Sequence, residues 1–254
     1  MPHVQLEIAD HVARVVLDRP PLNVVDLATA GALAEAAARL RAESGYHAVI
    51  FETGGADFSA GVDVRDHLPD RGAAMIAEFH RACFGIAAIE APVICAVQGR
   101  ALGGGCELTV MCDLVIAGAS ARFALPEIKL GVFPPLAALT LPRMIPHHLA
   151  SEMIMTGREL NAEEAVHVGL ANRVVPDDEL RGAADAVAKV FTKLSASALR
   201  VAKQALTMSR ARPTREEVDA AERLYNGQLL NDEEAIEGLR AFMEKRAPAW
   251  SRGC

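Results

Sequence analysis

One stretch of the chain, residues 98–135, limits most strongly what this sequence can fold into. Three glycines, Gly103 to Gly105, stand directly before Cys106 and Glu107, which open an apolar run. Glycines allow close approach and positive φ angles, and the first N–H groups of a helix that starts there lack partners within the helix. Such a turn can bind a phosphate or an oxyanion. Because a carboxylate repels phosphate, we favour the oxyanion; tight helix–sheet packing is the alternative explanation.

Two carboxyl groups belong to the same stretch. Glu107 is followed by the mostly apolar residues 108–112, which carry it into the interior, where burial raises the pKa of a carboxyl group. Glu127 follows Pro126 and is predicted in the first turn of a short helix, a position that is also typical of a solvated acid. Two carboxyl groups beside one oxyanion-binding turn can act as general base and general acid.

With these residues in view, the sequence resembles the crotonase (enoyl-CoA hydratase/isomerase) superfamily. Hydratases of that family carry GGGCE and, further on, a Pro-Glu within a run like ARFALPEIKLG, as this chain does. The other matching segments, in chain order, are Asp18–Pro20 with Asn23, Phe58–Asp63, Pro92–Gly99 and Glu237–Arg246. The resemblance covers nearly the whole chain, and the ordered set of segments is specific.

The resemblance implies an α/β fold, a spiral of ββα units with a C-terminal helical region that builds trimers. We expect residues 1–195 to form the core and residues 196–254 the helical region, in a homotrimer or homohexamer. The sequence pattern agrees, because predicted strands alternate with helices before residue 143 and helices dominate afterwards. The predicted strands are 4–9, 12–18, 47–52, 93–97, 114–117 and 171–174. The predicted helices are 27–43, 73–89, 148–156, 162–168, 178–193, 196–210, 215–230 and 232–242.

The resemblance also implies a mechanism. The N–H groups of Gly104 and Val62 are expected to hold the thioester carbonyl oxygen. Glu107 would take a proton from water as it adds to the β-carbon, and Glu127 would deliver a proton to the α-carbon, although the two roles can be exchanged. Because the CoA thioester supplies the activation, we expect no cofactor beyond CoA itself and no metal.

Further residues are predicted to contact CoA or the acyl group. They are Ala60, Gly61, Asp63, Arg65, Gly103, Phe133, Pro135, Leu136, Phe242 and Lys245. Arg65 and Lys245 are equally typical of exposed surface cations, and Asp63 of an acid that caps a loop. We interpret His67 and His80 as solvated or structural histidines.

The chain departs from the family pattern after Glu127. Many hydratases have a Pro-Gly-Ala-Gly-Gly loop where this chain has Phe133-Pro134-Pro135-Leu136. Pro135 removes an N–H, and the bulk of Leu136 is predicted to narrow or reshape the acyl pocket. Residues 132–135 and the tail 242–250 are similar to hydratases of cyclic dienoyl-CoA esters, whose flat ring would suit a pocket walled by Phe133 and Leu136.

Composition excludes several other classes. The 254 residues carry a net charge of −7 and no Lys/Arg-rich block, which argues against nucleic acid as the partner. Asp113 interrupts the longest apolar stretch, so no membrane segment is predicted. The five scattered cysteines predict reduced thiols without zinc-ligand spacing.

We therefore expect a cytoplasmic hydratase that acts on an α,β-unsaturated acyl-CoA thioester. Two alternatives stay open: an isomerase or decarboxylase of the same fold, and a non-catalytic scaffold or RNA-binding relative. The pair of acids argues against both alternatives, and the negative net charge argues against RNA binding.

Overall fold

A computed structural model describes residues 3–208 and 213–250. Its strands are β1 (Val4–Ala9), β2 (Val12–Leu17), β3 (Ala48–Thr53), β4 (Val93–Val97), β5 (Arg100–Leu102), β6 (Leu114–Gly118), β7 (Arg122–Ala124), β8 (Glu159–Asn161) and β9 (Arg173–Val175). Its α-helices are α1 (Leu27–Ala42), α2 (Gly72–Ala87), α3 (Gly104–Val110), α4 (Pro135–Met144), α5 (His147–Thr156), α6 (Ala162–His167), α7 (Leu180–Phe191), α8 (Ala196–Thr207), α9 (Arg215–Leu224) and α10 (Glu233–Met243). Short 3-10 turns are formed by Val64–His67, Pro126–Leu130 and Asp177–Glu179, and a π-helical turn by Tyr225–Leu229.

A six-stranded sheet in the order β1-β2-β3-β4-β6-β9 forms the centre of the molecule. The β1–β2 pair is an antiparallel hairpin, and the remaining neighbours pair in parallel. The apolar sequence of β4 is unbroken because both of its faces are buried. Cys95 and Val97 point into the large core, whereas Ile94 and Ala96 pack against α7 on the other face. A parallel sheet covered on both faces requires such a run.

A second, three-stranded sheet in the order β5-β7-β8 holds the glycine-rich segment. Strand β5 leads directly into α3, and β7 leads into the 3-10 turn Pro126–Leu130. Parallel pairing of β5 with β7 places Leu102 opposite Ala124. The two strand ends therefore carry Glu107 and Glu127 to the same place.

The α/β class and most of the predicted elements are confirmed, including the hairpin, β4 and the short turn at Glu127. Helix α4 and the three-residue strands β5, β7 and β8 were not predicted, whereas β9 overlaps the predicted strand 171–174. Prolines at positions 134, 135 and 142 are typical of a chain break. Here Pro135 occupies the first helical position, where its missing N–H costs no hydrogen bond.

The C-terminal region is helical, as predicted, and α8 begins at Ala196. The predicted helix 215–230 is interrupted, because α9 ends at Leu224 and the π-helical turn follows; the last two residues of the predicted helix 196–210 lie outside the described residues. Lys203 ties α8 to the core, since its Nζ lies 3.0 Å from the Ala91 carbonyl oxygen and 2.5 Å from Asp113. The division of the chain into a core of residues 1–195 and a helical region of residues 196–254 stays a prediction.

None of the helices in the described ranges has the length and apolar character that a membrane span requires. Four of the five cysteines, Cys83, Cys95, Cys106 and Cys112, are buried free thiols, and burial raises the pKa of Cys83, Cys95 and Cys106. The fifth, Cys254, lies outside the described residues. The four described cysteines are therefore core residues, and the raised pKa values of Cys83, Cys95 and Cys106 make these three thiols poor nucleophiles.

Candidate active site

The turn between β5 and α3 can be built only from glycine. Gly103 has a φ of +53°, and a Cβ atom there would lie 2.7 Å from Glu127 Oε1. A Cβ atom on Gly104 would lie 2.6 Å from Cγ2 of Val62 and 2.9 Å from the Phe79 ring. The glycines thus allow close packing of the turn against the Glu127 carboxyl group and against the loop at Val62.

Two backbone N–H groups at this turn have no acceptor among the described residues. The Ser59 loop is fixed beside β5, because the Leu102 N–H donates to the Ser59 carbonyl oxygen at 2.9 Å. A Cβ atom on Gly61 would lie 3.6 Å from the Gly104 nitrogen, so the two segments are adjacent. Across the part of the chain that the structure describes, the N–H groups of Val62 and Gly104 donate to no protein atom. They are free to bind an oxygen atom of a ligand.

Glu107 lies one turn into α3 and is only 4% exposed. Its Oε1 accepts a hydrogen bond from the Ala137 N–H at 2.8 Å, in the first turn of α4. Burial raises the pKa of Glu107, while the charge of His80 and the N–H groups of Ala137 and Leu136 act in the opposite direction. The proline pair that starts α4 therefore directs backbone donors at this carboxylate.

Glu127 has a different environment. It lies in the first turn of the 3-10 segment, next to Gly103, and is partly accessible from the cleft. Its Oε2 is buried, and among the described residues no group donates to it. Burial and, next, the nearby Glu107 raise the pKa of Glu127 to about 8. A carboxyl group with that pKa is mostly protonated at neutral pH.

A buried histidine adjoins the two acids. His80 of α2 is 1% exposed, and its Nδ1 lies 2.6 Å from Glu222 Oε1 of α9. Burial opposes ionisation of Glu222, but His80 and Arg215 keep the pKa of Glu222 below its usual value. The expectation of a solvated His80 is excluded, whereas the structural interpretation agrees with this pair. The His80 ring also borders the cleft. There its charge opposes the rise that burial causes in the pKa of Glu107.

A cleft with a volume of about 530 Å³ opens above the turn. Most of its wall is apolar. Its apolar side chains are Leu22, Val62, Val64, Met75, Ile76, Phe79, Leu102, Leu130, Val132, Phe133, Pro134, Pro135, Tyr225 and Phe242. Its ionisable side chains are His67, His80, Arg100, Glu107, Glu127, Lys129 and Arg246. The arrangement suits a mostly apolar ligand with one polar group at the turn and anionic groups near the rim.

The cleft brings together most of the residues predicted from the sequence. Beside both glutamates they are Ala60, Gly61, Val62, Gly103, Gly104, Phe133, Pro135 and Phe242. Four predicted residues, Asp63, Arg65, Leu136 and Lys245, do not line it. Asp63 caps the turn Val64–His67 and pairs with Arg65, whose side chain is 71% exposed. Lys245 is exposed after the end of α10.

The predicted place of Leu136 is wrong. Its side chain is completely buried in the main core rather than in the wall of the cleft. Because Leu136 lies in the first turn of α4, its backbone faces Glu107 while its side chain points inward. The Tyr225 ring stands opposite Phe133 instead, with ring centroids 5.7 Å apart.

Sequence reasoning missed Tyr225, Arg100, Lys129 and Arg246. Arg100 pairs with Asp57 and Arg246 with Glu237, which leaves Lys129 as a cation with a backbone contact, to the Gly157 carbonyl oxygen. Arg246 stands next to Lys245 in the matching tail segment, which is the signal that could have found it. Nothing in the local sequence marks Tyr225.

Comparison with known proteins gives a consistent result. A family model described as "Enoyl-CoA hydratase/isomerase" matches residues 7–253. A probable enoyl-CoA hydratase of Mycobacterium bovis is 37% identical over 251 residues, which cover 98% of this chain and 97% of the relative. The cyclohexa-1,5-dienecarbonyl-CoA hydratase of Thauera aromatica is 33% identical, with 97% and 95% covered. The crystal structure of a carnitinyl-CoA hydratase from Mycobacterium avium superposes with a TM-score of 0.86 and 31% identity over the whole of both chains.

The fold and the family match define the class: this is a crotonase-fold enzyme with a C-terminal helical region. The chain belongs to the enoyl-CoA hydratase/isomerase family, as the sequence motifs predicted, and it is an enzyme of the hydratase type.

Proposed function

We propose that this enzyme adds water across the α,β double bond of an acyl-CoA thioester, with Glu107 and Glu127 as its acid–base pair. The observation that carries the proposal is the meeting of the buried Glu107 carboxyl group and the partly buried Glu127 carboxyl group at one glycine turn. Glu107 lies in the helix that starts at the turn, and Glu127 Oε1 packs against Gly103. The unpaired N–H groups of Val62 and Gly104 lie at the same turn.

The different surroundings of the two acids support an assignment of roles. Glu107 accepts a backbone hydrogen bond and lies beside His80, which favours its ionised form. Glu127 Oε2 has no donor in the described ranges, and its pKa is raised to about 8. The single proton of the pair is therefore expected on Glu127, which makes Glu107 the base and Glu127 the acid.

Water forms a bond to the β-carbon as Glu107 removes one of its protons, and the electron pair of the double bond moves toward the thioester carbonyl oxygen. The N–H groups of Val62 and Gly104 stabilise that developing charge, each by about 3–4 kcal/mol. Glu127 then gives its proton to the α-carbon, and a proton returns from Glu107 to Glu127 before the next turnover. The thioester supplies the activation, so we propose that no metal or further cofactor takes part.

A cyclic dienoyl-CoA ester is our candidate for the substrate. The rings of Phe133 and Tyr225 pack against each other at a tilt, with centroids 5.7 Å apart, and together form an aromatic part of the cleft wall that suits a flat acyl group. The Thauera aromatica relative is named for such a substrate. The phosphates of CoA would meet the cations at the rim, Arg100, Lys129 and Arg246.

The test is hydration of crotonyl-CoA and cyclohexa-1,5-diene-1-carbonyl-CoA by the wild type and by the variants Glu107→Gln and Glu127→Gln. Loss of a general acid or base lowers the rate by about 10²–10⁴-fold, so both variants should lose most activity while staying folded. The better substrate identifies the acyl group. Full activity in either variant, or a double-bond shift that needs only one acid, would replace the hydratase by an isomerase.

We also propose that the protein is a homotrimer or homohexamer. Apolar side chains of the C-terminal helical region are exposed in the single chain, for example Val201, Met208 and Leu224. Light scattering behind a sizing column measures the assembly mass directly, and a monomeric mass would contradict the proposal. A cytoplasmic location stays a prediction from the sequence.

A further inference from the structure

Tyr225 carries a buried hydroxyl group that the mechanism above does not use. The side chain is 1% exposed, lines the cleft, and its hydroxyl has no hydrogen-bond partner among the described residues. Glu127 Oε2, which also belongs to the cleft, is unpartnered in the same way. Two buried polar atoms without partners are costly to leave unpaired. Their presence in one cleft indicates a ligand with an oxygen atom that can bind both.

The backbone around Tyr225 supports the same view. Helix α9 ends at Leu224, and Tyr225 begins a π-helical turn in which the Leu230 N–H donates to the Tyr225 carbonyl oxygen at 3.1 Å. Single π turns inside helical segments are frequent at functional sites. The Tyr225 ring packs against Phe133, at 5.7 Å between centroids.

The hydroxyl lies within the electrostatic influence of the two acids. Burial raises the pKa of Tyr225, and the charges of Glu127 and then Glu107 raise it further. The phenol is therefore neutral at neutral pH. A neutral phenol can donate a hydrogen bond beside a carboxyl pair, whereas a lysine in this position would neutralise the base.

We infer that Tyr225 is a third polar group of the active site, and that its hydroxyl donates a hydrogen bond to the oxygen atom that is added to the β-carbon. The inference rests on the proposed function. A water molecule has two lone pairs, one of which attacks the β-carbon while Glu107 takes a proton. A hydrogen bond from Tyr225 to the second lone pair fixes the direction of attack, and the same bond holds the hydroxyl group of the product.

The test compares Tyr225→Phe with Tyr46→Phe, since the chain has only two tyrosines. Tyr46 is also buried, but its hydroxyl donates to the Leu40 carbonyl oxygen at 2.6 Å, outside the cleft. Calorimetry gives the Kd of 3-hydroxybutyryl-CoA, which carries the added oxygen, and of butyryl-CoA, which lacks it. Tyr225→Phe should raise the Kd of 3-hydroxybutyryl-CoA about tenfold and change the Kd of butyryl-CoA by no more than about twofold. It should also lower kcat for crotonyl-CoA about tenfold or more. Tyr46→Phe should leave the two Kd values and kcat unchanged.

The ratio of the two Kd values is measured in one preparation and so does not depend on the folded fraction of a variant. If Tyr225→Phe leaves that ratio unchanged, whether both ligands weaken equally or neither does, the hydroxyl does not contact the added oxygen and the inference is overturned. If the wild type hydrates no enoyl-CoA substrate, the proposed function fails first and this inference with it. An active wild type with an unaltered Tyr225→Phe variant overturns the inference alone.

Discussion

The two walls of the cleft are built in different ways. One wall, residues 60–62 and 102–107, comes from the Ser59 loop and from the segment that joins β5 to α3, and it acts through backbone N–H groups and a carboxylate held by backbone donors. The opposite wall, Tyr225 with Phe242 and Arg246, comes from the C-terminal helical region and presents side chains only. The first wall admits almost no change of shape, whereas the second consists of side chains that can vary in size and polarity. We therefore expect the first wall to determine the reaction and the second wall to determine which acyl group binds.

The largest effect is expected from a methyl group in the first wall. In Gly104→Ala the new Cβ would meet Val62 Cγ2 at 2.6 Å and the Phe79 ring at 2.9 Å. Displacing the loop separates the two N–H donors, so kcat should fall by about 10²-fold or more. The free energy of unfolding should fall by about 1–3 kcal/mol.

Gly182→Ala is the matched control for this variant. Gly182 lies within α7, and a Cβ atom there would have no neighbour within 4 Å. Alanine should stabilise the helix by about 0.5–1 kcal/mol and leave kcat unchanged. A Gly104→Ala enzyme with wild-type kcat would show that the first wall is less rigid than its contacts indicate.

The pH dependence of catalysis should report Glu127, the acid that lies against Gly103 of the first wall. With a pKa of about 8, Glu127 loses its proton as the pH rises through that value. A plot of log kcat/KM against pH should therefore bend downward near pH 8 and fall about tenfold for each further unit. A flat profile through pH 9 would exclude Glu127 as the general acid.

Stability should show the same titration. The pKa of Glu127 in the folded chain is raised above the ordinary value of 4.5, so the folded state holds a proton that the unfolded state releases. This contribution to stability is complete below pH 4.5 and is lost as the pH rises through about 8. The free energy of unfolding of Glu127→Gln, relative to the wild type, should thus increase between pH 5 and pH 9 in denaturant titrations. A constant difference would mean that Glu127 ionises as easily in the folded chain as in the unfolded chain.

Substitutions in the second wall should have smaller effects on the kinetic constants. Phe242 borders the cleft with 56% of its surface exposed, so Phe242→Ala should raise KM about three- to tenfold with little change in kcat. Val190→Ala, on the exposed side of α7, is a control of similar exposure. A change in kcat larger than that in KM would mean that Phe242 belongs with the chemistry, and the contrast between the walls would not hold.

The smallest effect concerns two exposed cations. Arg65 was predicted from the sequence to bind CoA, yet it pairs with Asp63 away from the cleft, whereas Lys129 lines the rim. Arg65→Ala should leave KM for the thioester within about twofold, and Lys129→Ala should raise it several-fold, more so at low salt, since exposed charges are screened. The reverse order would support the sequence-based choice.

The success of the sequence analysis depended on how local each signal was. The burial of Glu107 could be predicted because the residues that surround it follow it directly, and the turn at Glu127 because Pro126 starts it. Tyr225 could not be found, since its place in the cleft depends on packing against Phe133, a residue far away in the sequence. Leu136 was misplaced for the same reason: the prolines before it are typical of a loop, and the helix that forms there turns the side chain into the core.

The C-terminal wall also determines when the site is complete. Gly131 and Gly238 show how tightly the last helix closes on the segment after Glu127: a Cβ atom on Gly131 would lie 3.0 Å from the Ala235 Cα, and one on Gly238 would lie 2.4 Å from the Leu130 carbonyl oxygen. A chain emerging from the ribosome presents both glutamates long before it presents α10. Chains are synthesised at about 5–20 residues per second, so for several seconds the acid pair would lack its covering wall. A nascent chain stopped before residue 225 should therefore hold a folded sheet but no closed cleft.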